Sequence, residues 1–127
     1  MRSHLLRTFA AGTLVVVLFT ACGGGSTTAS SSSPTPAADV TVRGKDTLKF
    51  DKGEYTAKAG TISFAYINDG SLVHTLLVDG KDGFKLQVER QDEVKVGSTD
   101  LTAGSYTIYC DIVGHREGGM VAKLTVS

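Results

Sequence analysis

The 127-residue sequence predicts an all-β fold, an antiparallel β-sandwich of seven to eight strands that follows a disordered N-terminal tether. Three observations lead there. From Asp39 onward, apolar residues recur at every second position in short runs, the signature of strands with one face buried. Pairs of turn-forming residues separate these runs at intervals suited to short strands. No stretch carries a sustained helical period, although single helical turns are compatible with residues 88–93 and 112–119.

Taken in order, Val40 and Val42 open the pattern, followed by Leu48 and Phe50, Tyr55 and Ala57, and then Ile62, Phe64 and Tyr66. Leu76 and Val78 come next, then Phe84, Leu86 and Val88, then Val94 and Val96, Tyr106 and Ile108, and finally Leu124 and Val126. Each set is expected to face the core. The intervening turns are placed at Arg43-Gly44, Asp51-Lys52-Gly53, Ala59-Gly60, Asp69-Gly70, Asp79-Gly80, Asp82-Gly83 and Ala103-Gly104.

The first residues are of a different kind. Arg2, His4 and Arg7 precede an apolar run from Phe9 to Phe19, too short to span a bilayer as a helix and laid out like a secretory signal peptide over residues 1–21. The residues before Cys22 resemble a bacterial lipobox, although Phe19 replaces the small aliphatic residue usual three positions before the cysteine. The expectation is a lipidated Cys22 at the mature N-terminus. An ordinary cleavage region, or a disulfide from Cys22 to Cys110, is the plainer reading. Residues 23–38 contain only Gly, Ser, Thr, Pro and Ala, with too little apolar surface to offset the entropy of ordering. Such a linker spans roughly 20–25 Å on average. The expected organisation is therefore a signal peptide over 1–21, a lipidated cysteine and linker over 22–38, and a folded domain over 39–127.

Removal of the leader leaves eleven basic against thirteen acidic side chains, a formal charge of minus two. Near-neutrality gives no pointer to nucleic acid, and the expected state is a monomer. The sequence has no Gly-x-Ser-x-Gly, no paired-histidine zinc-protease motif and no phosphate loop. Asp111 and Glu117 read as solvated loop charges rather than as an acid/base pair.

One stretch stands apart chemically. Cys110, His115 and Met120 follow one another as Cys-x4-His-x4-Met, directly after a strand-like run, and His74 lies upstream behind the turn Asn68-Asp69-Gly70-Ser71. Alternation predicts that His74 faces inward with Leu76 and Val78, Cys110 with Tyr106 and Ile108, and Met120 with Ala122, Leu124 and Val126. A thiolate, two imidazoles and a weak thioether are the ligand types of a blue-copper electron-transfer centre. Zinc also accepts thiolate and imidazole, but a thioether suits copper and not zinc. A dinuclear centre would need a second cysteine in the loop.

The runs from Leu101 to His115 and from Gly119 to Val126 resemble the C-terminal half of cupredoxins of the plastocyanin/azurin group. Leu48-Lys49-Phe50-Asp51, Ala59-Gly60-Thr61-Ile62 and Asn68 to His74 are similar to that family's first half. The resemblance implies a Greek-key sandwich and one copper ion, with His74, Cys110 and His115 as the trigonal set and Met120 as the long axial ligand. It also implies that Asn68 and the backbone after Cys110 supply hydrogen bonds that pin the ligand loops. Thr75 stands where many relatives have Asn, so bonding between the two loops is expected to differ here. The loop lengths mix patterns, Cys-x4-His resembling azurin and His-x4-Met resembling plastocyanin.

With four protein ligands no position is left for a substrate, so the chain is expected to act as no enzyme. The resemblance implies a shuttle of single electrons between redox proteins, exported and lipid-anchored through Cys22 on the extracytoplasmic face of the cell membrane. His115, flanked by Val113, Gly114 and Leu72, is the expected electron exit. The alternative is a copper carrier or storage protein that delivers the ion. Carriers use open Met- and His-rich sites, whereas this chain has two methionines, one of them the initiator.

Overall fold

A computed structural model of the chain describes residues 34–127. The expected signal peptide, Cys22 and the linker as far as residue 33 lie outside the described residues. Residues 34–38 form no strand.

Nine strands follow in order: β1 (Val40–Lys45), β2 (Lys49–Phe50), β3 (Glu54–Ala57), β4 (Gly60–Asn68), β5 (His74–Val78), β6 (Lys85–Val88), β7 (Val94–Leu101), β8 (Gly104–Tyr109) and β9 (Val121–Val126). They form a four-stranded sheet ordered β2-β1-β4-β7 and a five-stranded sheet ordered β3-β9-β8-β5-β6. The expected sandwich is present, with nine strands where seven to eight were expected. Two neighbour pairs are parallel, β1 with β4 and β3 with β9, and the others antiparallel. The chain leaves the first sheet after β2, runs β3 in the second and returns, so β4 enters in the direction of β1. Alternation reports the face of a residue and is silent on which strand lies beside it.

The core between the sheets is built from the alternating residues. Val42, Phe64, Tyr66, Leu76, Val88, Ile108 and Leu124 are fully buried, and Phe64 packs on Phe84 with ring centroids 5.1 Å apart. Strand β7 departs from expectation. Val96 is 53 % exposed, because the inward positions of this strand are Gly97, Thr99 and Leu101, with Gly97 paired to Phe64. A Cβ on Gly97 would stand 2.8 Å from a Leu86 methyl, so the glycine makes room for Leu86 and Phe84 while the two valines face outward.

Two further departures lie in the β1–β2 hairpin. Gly44 belongs to β1 and is buried, paired with Phe50 and Asn68, where a turn was expected. Leu48 lies in the turn rather than in a strand, with φ +56°, a conformation costing a non-glycine residue roughly 1–3 kcal/mol. Its side chain lies where a Cβ on Gly118 would come within 2.8 Å, so the strained residue packs against the loop that follows β8.

The strand ends decide where chemistry can gather. The ends of β1, β4 and β8 and the starts of β5 and β9 all come to one end of the sandwich. That end receives His74, Cys110 and Met120 at the first or next position of their strands. Among the described residues no helix is long and apolar enough to cross a membrane.

Candidate metal centre

His74 is the first residue of β5, Cys110 the residue after β8, and Met120 the residue before β9, and all three are fully buried. The parity expectation holds at each: Leu76 and Val78, Ile108, and Ala122, Leu124 and Val126 are buried on the same faces. His115 sits in the connecting loop and is half-buried.

The loop is shaped by its own backbone. The amide of His115 donates to Ile112 O (2.9 Å), Gly118 to Gly114 O (3.0 Å), Gly119 to Arg116 O (3.0 Å) and Met120 to His115 O (2.9 Å). The Cys110 amide donates to Met120 O (3.1 Å) and closes the loop neck. Gly114 and Gly119 take φ of +84° and +104°, which glycine adopts without the Cβ clash. The Arg116 guanidinium covers the Tyr109 ring at 4.3 Å and ties the loop to β8.

This folding brings three donor atoms together. His74 Nδ1 and His115 Nδ1 lie 3.3 Å apart, Cys110 Sγ is 3.6 Å from His115 Nδ1, and one donor atom from each of the three residues falls within 4.8 Å of the others. Metal–nitrogen bonds of about 2.0–2.1 Å and metal–sulfur bonds of about 2.3 Å put donors on a shared ion roughly 3.3–3.8 Å apart. The residues present therefore fit a single ion. Met120 lines the same space: a Cβ on Gly44 would stand 3.1 Å from its methyl, 3.2 Å from His74 Cδ2 and 2.6 Å from the Tyr66 hydroxyl. Gly44 is thus the position at which β1 makes room for a histidine, a methionine and a tyrosine at once.

Thr75 links the two donor loops. Its amide lies 3.4 Å and its hydroxyl 3.3 Å from Cys110 Sγ, the hydroxyl lies 2.7 Å from Asp111 Oδ1, and it accepts from the Asp111 amide at 3.0 Å. One hydroxyl has one proton, and the charged acceptor at the shorter distance takes it. Lys85 donates to the other Asp111 oxygen at 2.7 Å. Although partial burial works the other way, the bonds from Lys85 and Thr75 hold the Asp111 carboxyl below its ordinary range. Asp111, an exposed charge as expected, is also a strut between β5, β6 and the cysteine.

Asn68 is fully buried and organises the turn before His74, its Nδ2 donating to Leu72 O (2.8 Å) and its Oδ1 accepting from the Gly70 amide (3.0 Å). The same turn is gripped from β1–β2 by Asp46, whose carboxylate accepts from the Ser71 and Leu72 amides (2.9 and 3.0 Å) and the Ser71 hydroxyl (3.0 Å). Those amides, Leu72 first, hold the Asp46 carboxyl below its ordinary value. Burial keeps His74 below the usual imidazole range, His115 adds to this, and Asp46 opposes it. Asp46 and Lys85 were not marked by sequence reasoning, and Gly44 and Leu48 were marked only as a turn and a core position, not as parts of the site. Gly44 left the clearer signal, a glycine next to an alternating strand.

The fold is that of the cupredoxins. The chain is similar to the crystal structure of dithionite-reduced auracyanin from the photosynthetic bacterium Roseiflexus castenholzii, with a TM-score of 0.62 and 17 % identity over 72 % of this chain and 98 % of that one. It is also similar to auracyanin B, with a TM-score of 0.56 and 16 % identity over 72 % of this chain and 91 % of the other. No protein-family model matches the sequence, and no curated protein matches it.

Proposed function

We propose that this chain holds one copper ion between His74, Cys110 and His115, with Met120 as a weak axial ligand, and passes single electrons between redox proteins. The convergence of two imidazole nitrogens and one cysteine sulfur, 3.3 and 3.6 Å apart in a cupredoxin fold, carries the reading. Bound copper would supply a one-electron couple, and a sulfur-to-copper bond of high covalency, at this position.

The chain's own residues do the rest. The loop backbone and the Thr75–Asp111 strut fix the donors before any ion arrives, so little rearrangement accompanies a change of charge. Burial of Cys110, His74 and Met120 excludes water, and the set leaves no position for a substrate, which favours a carrier over a catalyst. Leu72, Val73 and Val113 are 44, 40 and 97 % exposed close in sequence to the two histidines. An apolar rim around half-buried His115 suits brief, low-area encounters and supports His115 as the electron exit. We further propose export, lipid attachment at Cys22, and partners that are membrane-associated redox proteins at the extracytoplasmic face.

The test is reconstitution of the purified domain with copper(II). An intense visible charge-transfer band with reversible one-electron voltammetry is expected. Retained copper without that band would favour ion delivery, and no uptake would remove the metal reading. Intact mass of the mature protein tests the anchor separately, and the absence of a diacylglycerol adduct on Cys22 would sink it.

A further inference from the structure

His74 Nε2 is sealed from solvent and has no hydrogen-bond partner among the described residues. Such an orphan in a fully buried ring is costly, roughly 1–3 kcal/mol for a neutral polar group, and calls for an explanation. What faces it is a carboxylate. Asp46 Oδ1 lies 3.7 Å away, beyond hydrogen-bond length but well within the range of a strong charge–dipole interaction.

The carboxylate does not reach that place by chance rotation. Oδ1 accepts from the amides of Ser71 and Leu72, Oδ2 from the Ser71 amide and hydroxyl, and a Cβ at Gly70 would overlap the whole group. The turn that delivers His74 therefore also fixes the carboxylate beside the ring. The two donors of the Nδ1 pair fall into place with it: with the proton on Nε2, His74 Nδ1 is free to accept from His115 Nδ1 at 3.3 Å, or to ligate.

We propose that Asp46 is a positioning residue for His74: its carboxylate keeps the imidazole proton on Nε2, holds Nδ1 as the free lone pair, and biases the bound ion toward its more highly charged state. The first two parts concern the protein alone; the third rests on the copper reading above. A negative charge behind a ligating imidazole makes the ring a stronger donor, and partners in such positions are worth about 10–100-fold in affinity. Loss of the charge should shift the copper(II)-over-copper(I) preference by about tenfold, which for a one-electron couple is about 59 mV in the positive direction.

Two variants separate charge from acceptor. Asp46→Asn keeps an oxygen for the Ser71 and Leu72 amides and removes the charge. Asp46→Ala removes both. In metal-free wild-type protein at neutral pH, imidazole nitrogen NMR is expected to show the His74 proton on Nε2, and in Asp46→Ala that preference is expected to be lost. In copper-loaded Asp46→Asn the potential is expected to rise by the amount given, with the thermal midpoint near that of wild type. A wild-type tautomer in Asp46→Ala, or a wild-type potential in Asp46→Asn, would overturn the assignment and leave Asp46 a loop cap. Should Asp46→Ala fail to fold, the potential of Asp46→Asn decides. A wild-type chain that takes up no copper would overturn the copper reading alone, and the nitrogen signals would still decide the role of Asp46.

Discussion

Two segments meet at the donor cluster, and they differ in almost everything else. The loop from Cys110 to Met120 brings three chemically distinctive side chains and shapes itself through five backbone hydrogen bonds. The hairpin from Arg43 to Phe50 brings no expected ligand, yet it touches the site at three places: Gly44 under His74 and Met120, Asp46 on the turn before His74, and Leu48 against Gly118. The first supplies chemistry, the second supplies a floor. A donor set can thus be conspicuous while the surface that keeps it rigid is built from residues with no chemical signature.

The largest effect belongs to the loop. Cys110→Ser is expected to abolish the visible band and to lower copper affinity by more than about a hundredfold, beyond what loss of an outer partner costs. Retention of the band, measured by absorption after copper titration, would detach the loop from its assigned role. Gly44→Ala tests the floor. Its Cβ would meet the Tyr66 hydroxyl at 2.6 Å, the Met120 methyl at 3.1 Å and His74 Cδ2 at 3.2 Å. Overpacking of this kind costs about 1–3 kcal/mol. Thermal unfolding should show that loss, and the copper spectrum should shift with it; a loss of stability with an unchanged spectrum would mean that the hairpin supports the fold and not the donors.

The smallest effect lies beside neither segment. The Glu89 amide, then Lys95 and the Arg90 amide, hold the Glu93 carboxyl down to about 2 from an ordinary value of 4.5. A carboxyl depressed by folding stabilises the native state above its unfolded value, and that contribution fades as pH falls from about 4.5 toward about 2. Urea midpoints of wild type and Glu93→Gln should therefore differ slightly at neutral pH and converge in acid. A difference that widened on acidification would reverse the sign.

The legibility of this molecule followed its periodicity. Strand alternation reports which face a residue occupies, so the inward direction of His74, Cys110 and Met120 could be read before any coordinates, and the buried sets around them agree. The same rule failed at Val94 and Val96, because an inward glycine is invisible to a pattern made of apolar side chains. It also misplaced Leu48, which sits in a turn, and had nothing to say about Asp46 in the same turn, nor about Thr75 and Asp111, whose bond joins residues far apart in sequence. The Thr75 departure from the family pattern raised the expectation of different loop bonding, but did not point to Asp111 or Lys85 as the groups bonded there. Which strands run parallel also lay beyond reach, since a chain may return to a sheet in either direction.

The course of β1 has a mechanical consequence. The strand enters the sandwich at Val40 and reaches the donor cluster only at Gly44, about four strand residues or roughly 13 Å further on, so a pull on Val40 is taken up by the β1–β4 pairing before it reaches the donors.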